Sequence, residues 1–331
     1  MKYLIKKIFI YNLFMILLLI SIAKSDEKGC FSYDCLKDRN IDITIIFDNS
    51  LFSEFNLREL LSSNFNYIND FYYQQFKIKW NIKNVNNFNQ NKRIDNISEL
   101  YSFHKKEIKK IIKDSEANIG LVIAGNNIKG LGIAGTFSNI AIVSNLNNLD
   151  HKTGSIIIAH ELGHLFGAWH TQKPFDFMLY KGANKFDVSK ESKAIIKLMR
   201  NYNFNPDSIL TNEILLKRIS RIYKRHHARH EIDPVARLLT DRGIEYFESK
   251  NYLQAEYILK RSLKFYGRWG KTRMVLSKTL FELNKFNDSF IELTRAVFFG
   301  EKPDYIFEKK LRDKFIELQK NNPDIENPFD V

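Results

Sequence analysis

The chain has 331 residues and a formal net charge of +13 at pH 7, and 44% of its residues are hydrophobic against 27% charged. This balance excludes a chain too polar to bury a core and predicts a globular protein of about two domains. Asn, Lys, Ile and Phe are used heavily in every segment, and they form no low-complexity tract.

Residues 1–23 have the composition of a secretory signal peptide. Three lysines precede an apolar run from Ile8 to Ile20, which ends in a small-x-small pattern at Ala23. The uncharged stretch is shorter than a membrane-spanning helix, which favours cleavage near Ala23 over an uncleaved anchor. Both alternatives predict export, so that the rest of the chain is secreted, periplasmic or membrane-anchored and faces outside the cytoplasm.

A short segment, residues 24–39, separates the signal from the first predicted strand. It contains Cys30 and Cys35, the two cysteines of the chain. In an exported protein, two cysteines this close together favour a local disulfide. The segment is too short to form a large folded prodomain.

Residues 40–210 are predicted to form an α/β (α+β) domain with a mixed sheet, because short β-type runs alternate with helical patterns. Thr153 is predicted to cap the helix that follows these elements. The predicted strands are 41–47, 76–85, 119–124, 131–136 and 140–144, and the predicted helices are 54–75 and 97–114.

The stretch HELGHLFGAWH fits the pattern HExxHxxGxxH at every fixed position. His160 and His164 are four residues apart, so one face of a helix presents both imidazoles to one metal ion. Gly167 can take the left-handed conformation that ends a helix, which lets His170 return as a third ligand. Glu161 lies beside the first ligand, where it can act as general base. Three ligands and an open fourth position predict one catalytic Zn²⁺ ion.

This extended motif resembles that of the metzincin clan of zinc metallopeptidases. The clan has a methionine turn beneath the metal, and Met178, eight residues after His170, matches it. Tyr180 resembles the tyrosine of astacins and serralysins, which reaches the metal or the oxyanion; the alternative is a tyrosine that only packs. The resemblance implies a zinc peptidase domain that acts on a protein or peptide substrate.

The same resemblance extends over residues 40–205. The segment GLGIAGTF lies where the clan has its antiparallel edge strand, and KFDVSKESKAIIKLMRNY resembles its last helix, with Ser189 as the cap. An exposed strand can bind an extended peptide, although plain strand packing is the alternative. The resemblance also offers a cysteine thiolate on the zinc as the alternative to a disulfide, but KGCFSYDC lacks the matrixin prosegment motif. The candidate substrate-binding residues are Leu131, Gly132, Ile133 and Ala134.

Residues 211–233 are predicted to form a basic helical linker. The basic side chains of 217–229 could contact an anionic surface, although basic helices are usually just solvated. Nucleic acid is not expected as a partner of an exported peptidase. His226, His227 and His230 lack carboxylate or cysteine partners at a metal-binding spacing and are predicted to lie on the surface.

Residues 234–331 form an internal repeat with a period of 34 residues, which is that of tetratricopeptide repeats. Tyr252 and Phe286 are one equivalent pair, and a further helix is predicted over residues 304–319. A generic array of helical hairpins is the alternative. Either array could bind a protein partner.

Three functional hypotheses follow from the sequence. The first is an exported zinc endopeptidase with Glu161 as general base. The second is a non-catalytic tetratricopeptide binding module on a zinc-stabilised scaffold, against which the presence of Glu161 argues. The third is a peptidase that cleaves a single partner protein, which the helical tail selects.

Overall fold

The computed structural model describes residues 37–48, 54–88, 94–125, 128–179, 185–226 and 231–329. The predictions for the signal peptide, for Cys30 and Cys35, for Tyr180, and for His227 and His230 lie outside these ranges, as does the side chain of His226. The chain divides into two units, Met1–Arg39 and Asn40–Val331, and the fold described below is that of the second.

Five strands form one sheet in the order β2-β1-β3-β5-β4. β1, β3 and β5 run parallel, whereas β4 pairs antiparallel with β5 and lies at the edge of the sheet. Every residue of β3 and β5 is buried, which is typical of parallel strands covered on both faces. The strands are β1 (Arg39–Asp48), β2 (Ile78–Phe88), β3 (Ile119–Ile123), β4 (Gly132–Ala134) and β5 (Ile140–Val143).

Eleven α-helices lie within the described residues. The first three alternate with the strands or follow them directly, and the others complete the chain. They are α1 (Glu54–Phe76), α2 (Ile97–Asp114), α3 (His151–Leu165), α4 (Lys190–Leu198), α5 (Asp207–Leu210), α6 (Glu213–His226), α7 (Pro234–Glu248), α8 (Tyr252–Phe265), α9 (Gly270–Glu282), α10 (Phe286–Phe298) and α11 (Tyr305–Asn321). Among the described residues, no helix combines the length and the apolar character that crossing a membrane requires.

Helices cover both faces of the sheet, because successive strand residues point to opposite sides. On one face, Ile45 and Leu121 share a core with α1 and α3. On the other face, Ile46 and Val122 share a separate core with α2. The predicted mixed α/β fold is therefore confirmed, and α3 is held directly against the sheet.

Two predicted boundaries were wrong. The second strand was predicted to begin at Phe76, but Phe76 is the last residue of α1, and Lys77, with a φ of 55°, turns the chain before β2 begins. Thr153 was predicted to cap α3, but the cap is Asp150, whose carboxylate accepts hydrogen bonds from the Thr153 backbone N–H at 3.0 Å and its hydroxyl at 2.6 Å. The ionised carboxylate is the stronger acceptor, and it fixes the start of the helix three residues earlier.

The helices after residue 210 begin within the same core as the sheet. Leu216 and Ile219 of α6 and Val235 and Leu239 of α7 belong to the cluster that includes α1 and α3. The sequence that was predicted to be a linker therefore packs against the first domain. The boundary at residue 210 stays a prediction about domain organisation.

The tail continues as paired helices. α7 packs against α8 and α9 against α10, and α8 and α10 start 34 residues apart, at Tyr252 and Phe286. Gly243 permits the first pair to approach closely, because a Cβ there would lie 2.5 Å from a methyl carbon of Leu259. The predicted helices are confirmed, and their tetratricopeptide character stays a prediction.

Candidate metal centre

Buried hydrogen bonds from α1 hold α3 in place. The Tyr72 hydroxyl donates to the Ala159 carbonyl at 2.8 Å, and the Ser155 hydroxyl donates to the Asn64 side-chain carbonyl at 2.8 Å. Burial raises the pKa of Tyr72 well above its usual value, so the phenol stays protonated and remains a donor. The residue before His160 is thus tied to the core.

α3 ends in a Schellman motif centred on Gly167. The N–H of Gly167 bonds to the His164 carbonyl at 2.8 Å, and the N–H of Ala168 bonds to the Gly163 carbonyl at 3.1 Å. Gly167 has a φ of 83°, and a Cβ there would lie 1.9 Å from the ring of Phe137. Both the left-handed conformation and the lack of space require glycine, as the motif predicted. The turn returns the chain towards the helix so that His170 meets the other two histidines.

His160, His164 and His170 form a cluster whose potential ligand atoms all lie within 4.8 Å of one another. Each Nδ1 donates to an oxygen that can only accept: His160 to the Phe177 carbonyl at 2.8 Å, and His164 to the Ala168 carbonyl at 2.7 Å. His170 donates to the carboxylate of Glu231, which lies far along the chain.

These hydrogen bonds set the tautomer in which Nε2 is the acceptor nitrogen of each ring, and this tautomer is the one that binds metals. The Nε2 atoms of His160 and His164 face each other at 3.2 Å. Two acceptor nitrogens at this distance repel each other unless a cation lies between the ligands. The donor set therefore fits a metal ion bound by three imidazoles.

Burial keeps two of the three imidazoles neutral. It lowers the pKa of His160 to about 4, with a further contribution from the charge of His170. Burial also lowers the pKa of His164 well below its usual value, and the charges of His160, His170 and Arg237 add to the effect. At neutral pH neither ring has to lose a proton before it can bind a cation.

Glu161 is buried beside the histidines. Its Oε2 has no hydrogen-bond partner within the described part of the chain, and burial raises the pKa of this carboxyl to about 8. β4 lies directly against it, since a Cβ on Gly132 would lie 2.3 Å from the Glu161 Oε1. Only a glycine at this position lets the edge strand approach the carboxylate so closely.

Met178 is completely buried under α3. A Cβ on Gly163 would lie 2.7 Å from the Met178 Sδ, so the thioether fills the space beneath the helix. The Thr171 N–H bonds to the Met178 carbonyl at 2.8 Å, which joins the two ends of the loop that follows His170. Met178 therefore lies beneath α3, and its role as a methionine turn under a metal stays a prediction.

Asp176, which the sequence did not single out, fixes that turn. Its fully buried carboxylate accepts hydrogen bonds from the Met178 N–H at 2.9 Å, the Ser189 N–H at 3.2 Å and the Ser192 hydroxyl at 2.8 Å. It thereby connects the turn to the first residues of α4, where Ser189 is the predicted cap. A lone aspartate in FDFMLY carries no pattern that would reveal this role.

Glu231, also missed at the sequence level, completes the cluster from the segment between α6 and α7. Its Oε1 accepts a hydrogen bond of 2.9 Å from the Nδ1 of His170, and its side chain is only 6% exposed. The two residues are 61 positions apart. The one available signal is that Glu231 is acidic and directly follows a basic, histidine-rich stretch.

A cavity of about 320 Å³ opens on His164 and His170. β4 forms one wall, and the chain from Glu231 to Arg237 contributes to its lining. Of the four candidate substrate-binding residues, Gly132, Ile133 and Ala134 line the cavity. Leu131 precedes β4 and is 47% exposed.

Comparisons with known proteins place the region of the histidines in a peptidase context. No curated protein sequence matches the chain. Two solved structures align with parts of it: a chaperone-substrate complex, at 13% identity over 51% of this chain and 35% of that one (TM-score 0.41), and metalloproteinase-II from Bacteroides fragilis, at 16% identity over 50% and 56% (TM-score 0.34). The chain thus spans less than two thirds of either protein. Residues 37–191, which include all three histidines and Glu161 but neither Glu231 nor Arg237, match the family model of metallo-peptidase family M12.

Proposed function

We propose that this protein is an exported zinc-dependent endopeptidase. The observation that carries the proposal is the convergence of the imidazoles of His160, His164 and His170 beside the buried Glu161, whose Oε2 has no hydrogen-bond partner among the described residues. A purely structural zinc site has no need of such a carboxylate, and it normally has four protein ligands. The match of residues 37–191 to a metallopeptidase family supports the same conclusion. Export rests on the sequence of residues 1–23 alone.

His160, His164 and His170 would hold the ion through their Nε2 atoms. Imidazole ligands suit zinc, and the acceptors on each Nδ1 orient the rings and raise their basicity. A zinc ion bound there would polarise the scissile carbonyl and acidify a water molecule.

Glu161 moves the proton in this mechanism. Its Oε2 takes a proton from the attacking water and returns it to the nitrogen of the leaving amine. Burial raises the pKa of the Glu161 carboxyl, and a cation held by the histidines would lower it again, which favours the ionised form that accepts the proton. Burial excludes competing solvent from the carboxylate.

β4 is the proposed site for the substrate backbone. It is the edge strand of the sheet, and three of its residues line the cavity next to Glu161. A peptide in extended conformation would add to this edge and bring its carbonyl to the histidines. Tyr180 is the proposed donor to the oxyanion, on the strength of the metzincin resemblance.

The test is the isosteric change Glu161→Gln in the purified, zinc-loaded chain, assayed on an unfolded protein such as casein. Glu161→Gln should lower the rate of cleavage about 100-fold or more, because general-base catalysis is lost while the shape of the side chain is kept. Glu248→Gln, at an exposed position at the end of α7, is the matched control and should leave the rate unchanged. A chelator should abolish cleavage and added zinc should restore it. Full, chelator-sensitive cleavage by Glu161→Gln would refute the mechanism.

A second candidate function is a non-catalytic protein-binding module. The observation in its favour is the stack of paired helices from α7 to α10, which has the spacing of a tetratricopeptide array. In that case the zinc-loaded protein would produce no fragments from casein, and Glu161→Gln would be indistinguishable from the native chain in every assay.

A peptidase with a single protein substrate would show no general proteolysis but would need the tail. Removal of residues 234–331 cannot test this, because Val235, Leu239 and Ile258 belong to the core that also contains α3. Removal of residues 270–331 spares that core. This shorter truncation should keep its zinc affinity while it loses cleavage of the partner.

A further inference from the structure

We propose that Arg237 binds a carboxylate group of the substrate and thereby makes the cavity selective for acidic peptides. This inference rests on the proposed peptidase function and names the chemistry that the cavity recognises. The carboxylate is either the side chain of Asp or Glu or the free carboxyl terminus of the peptide.

Arg237 lies on the wall of the candidate substrate cavity. It lines the cavity that contains Glu161, His164 and His170. It also lines an adjoining cavity of about 180 Å³, which continues along Gly135 and Thr136, directly after β4. A peptide that follows the edge strand away from the histidines would therefore pass Arg237.

The positive charge of Arg237 is not neutralised by an ion pair within the described residues. Other arginines of the tail have carboxylate partners: Arg242 lies 2.9 Å from Asp207, Arg261 pairs with Glu213, and Arg273 lies 2.5 Å from Glu292. Arg237 has no carboxylate within ion-pairing distance in the described ranges, and its side chain is exposed. Its guanidinium can thus form a bidentate pair with an incoming carboxylate without first breaking an existing one.

The guanidinium of Arg237 is oriented by an aromatic ring. It lies over the ring of Trp169, 5.0 Å from the ring centroid, and Trp169 is nearly fully buried beside His170. Stacking on a fixed indole reduces the conformational freedom that an arginine loses on binding. Backbone hydrogen bonding adds to this, since Arg237 lies in the first turn of α7 and its N–H bonds to the Asp233 carbonyl.

Carboxylates also line these cavities. In the adjoining cavity, Asp207 and Glu245 pair with Arg242, and Asp241 forms no ion pair with Arg237 among the described residues. Glu231 lines the cavity that contains His170, but its Oε1 accepts the hydrogen bond from this histidine. No ion pair joins Glu231 to Arg237 within the described residues. Glu231 therefore serves the histidine and leaves the positive charge of Arg237 available to substrate.

The test measures binding separately from cleavage. The zinc-loaded full chain carrying Glu161→Gln, which cannot turn substrate over, is titrated with fluorescent pools of randomised peptides that contain one fixed Glu. Matched pools contain Gln in its place, and each pool is made with a free or an amidated carboxyl terminus. Anisotropy should show about tenfold tighter binding of a carboxylate-bearing pool, which is the effect expected of one charge-assisted pair. The pool that shows the gain tells a side-chain carboxylate from a terminal one.

Arg237→Gln, added to Glu161→Gln, should abolish this preference while the neutral pool binds as before. Arg237→Glu should reverse it in favour of pools with a fixed Lys, a gain that misfolding cannot produce. Arg268→Gln, at an exposed arginine outside both cavities, is the matched control and should keep the preference. A preference that survives Arg237→Gln, equal binding of all pools, or no binding of any pool would overturn the inference.

The two proposals fail in different ways. If casein is not cleaved but acidic pools bind through Arg237, the peptidase function fails and the recognition stands. If casein is cleaved and Arg237→Gln changes nothing in the binding of the pools, only the recognition fails.

Discussion

Replacement of Glu231 should weaken zinc binding, although Glu231 is not itself a ligand. Its Oε1 lies 2.9 Å from the Nδ1 of His170, and this hydrogen bond sets the tautomer that presents Nε2 to the ion. Loss of such a partner typically costs about 10- to 100-fold in metal affinity, which corresponds to about 1.4 to 2.7 kcal/mol. Because the Glu231 side chain is only 6% exposed, water cannot easily replace it. Glu231→Ala should therefore lie near the upper end of the range.

Glu231→Gln should lie near the lower end, at about tenfold, because its amide oxygen remains a neutral acceptor for the His170 N–H. Zinc affinity is measured by competition with a chromophoric chelator, and thermal unfolding of the metal-free proteins checks that each variant folds. Glu248→Ala is the control at an exposed glutamate and should bind zinc as tightly as the native chain. An unchanged affinity in a folded Glu231→Ala protein would refute the role assigned to Glu231.

Two further predictions concern the frame of the site, and both are read from the free energy of unfolding in urea. Gly167→Ala should lower it by about 3 kcal/mol or more, because a φ of 83° is combined with a Cβ that would collide with an aromatic ring. Gly300→Ala, at a φ of 87° with nothing within 4 Å, should cost only about 1 kcal/mol, and equal costs for the two would contradict the steric argument. Asp176→Ala should cost about 3 kcal/mol by leaving three buried donors without their acceptor. The control is Asp187→Ala. The exposed Asp187 carboxylate accepts a hydrogen bond from the Val188 N–H, and its removal should lower the free energy of unfolding by less than about 0.5 kcal/mol. An equally small loss for Asp176→Ala would contradict the anchoring role of Asp176.

The parts of the fold that depend on local periodicity were accessible from the sequence. The helix over residues 97–114 was predicted with the bounds that the structure has, because its apolar positions recur at helical spacing. The beginning of β2 was not, since the left-handed turn at Lys77 has no sequence signature comparable to that of a glycine. The cap of α3 failed for a related reason: Asp150 and Thr153 are both good capping residues, and only the three-dimensional start of the helix distinguishes them.

The residues of the candidate site likewise differ in how far the sequence reveals them. The three histidines, Glu161 and Gly167 lie within eleven residues, so a fixed spacing expresses their geometry directly. Met178 was found through the metzincin resemblance. Asp176 was not, because its partners lie on another element and its role depends on the packing of the turn against α4. Glu231 and Arg237 contribute through contacts with residues more than sixty positions earlier in the chain, and no short pattern records contacts of that kind.

The chain after residue 226 therefore contributes to the candidate site, in addition to any role in binding a partner. Only residues up to 191 match the peptidase family, yet His170 is oriented by Glu231, and the cavity wall includes Arg237. Glu231 lies between α6 and α7 and Arg237 lies on α7, and both helices have apolar side chains in the same core as α3. A change that loosens α7 would consequently alter both the orientation of His170 and the position of Arg237 on the cavity wall. We therefore expect mutations in the packed part of α7 to lower the activity of the proposed peptidase by shifting these side chains, without any contact between the mutated residue and the substrate.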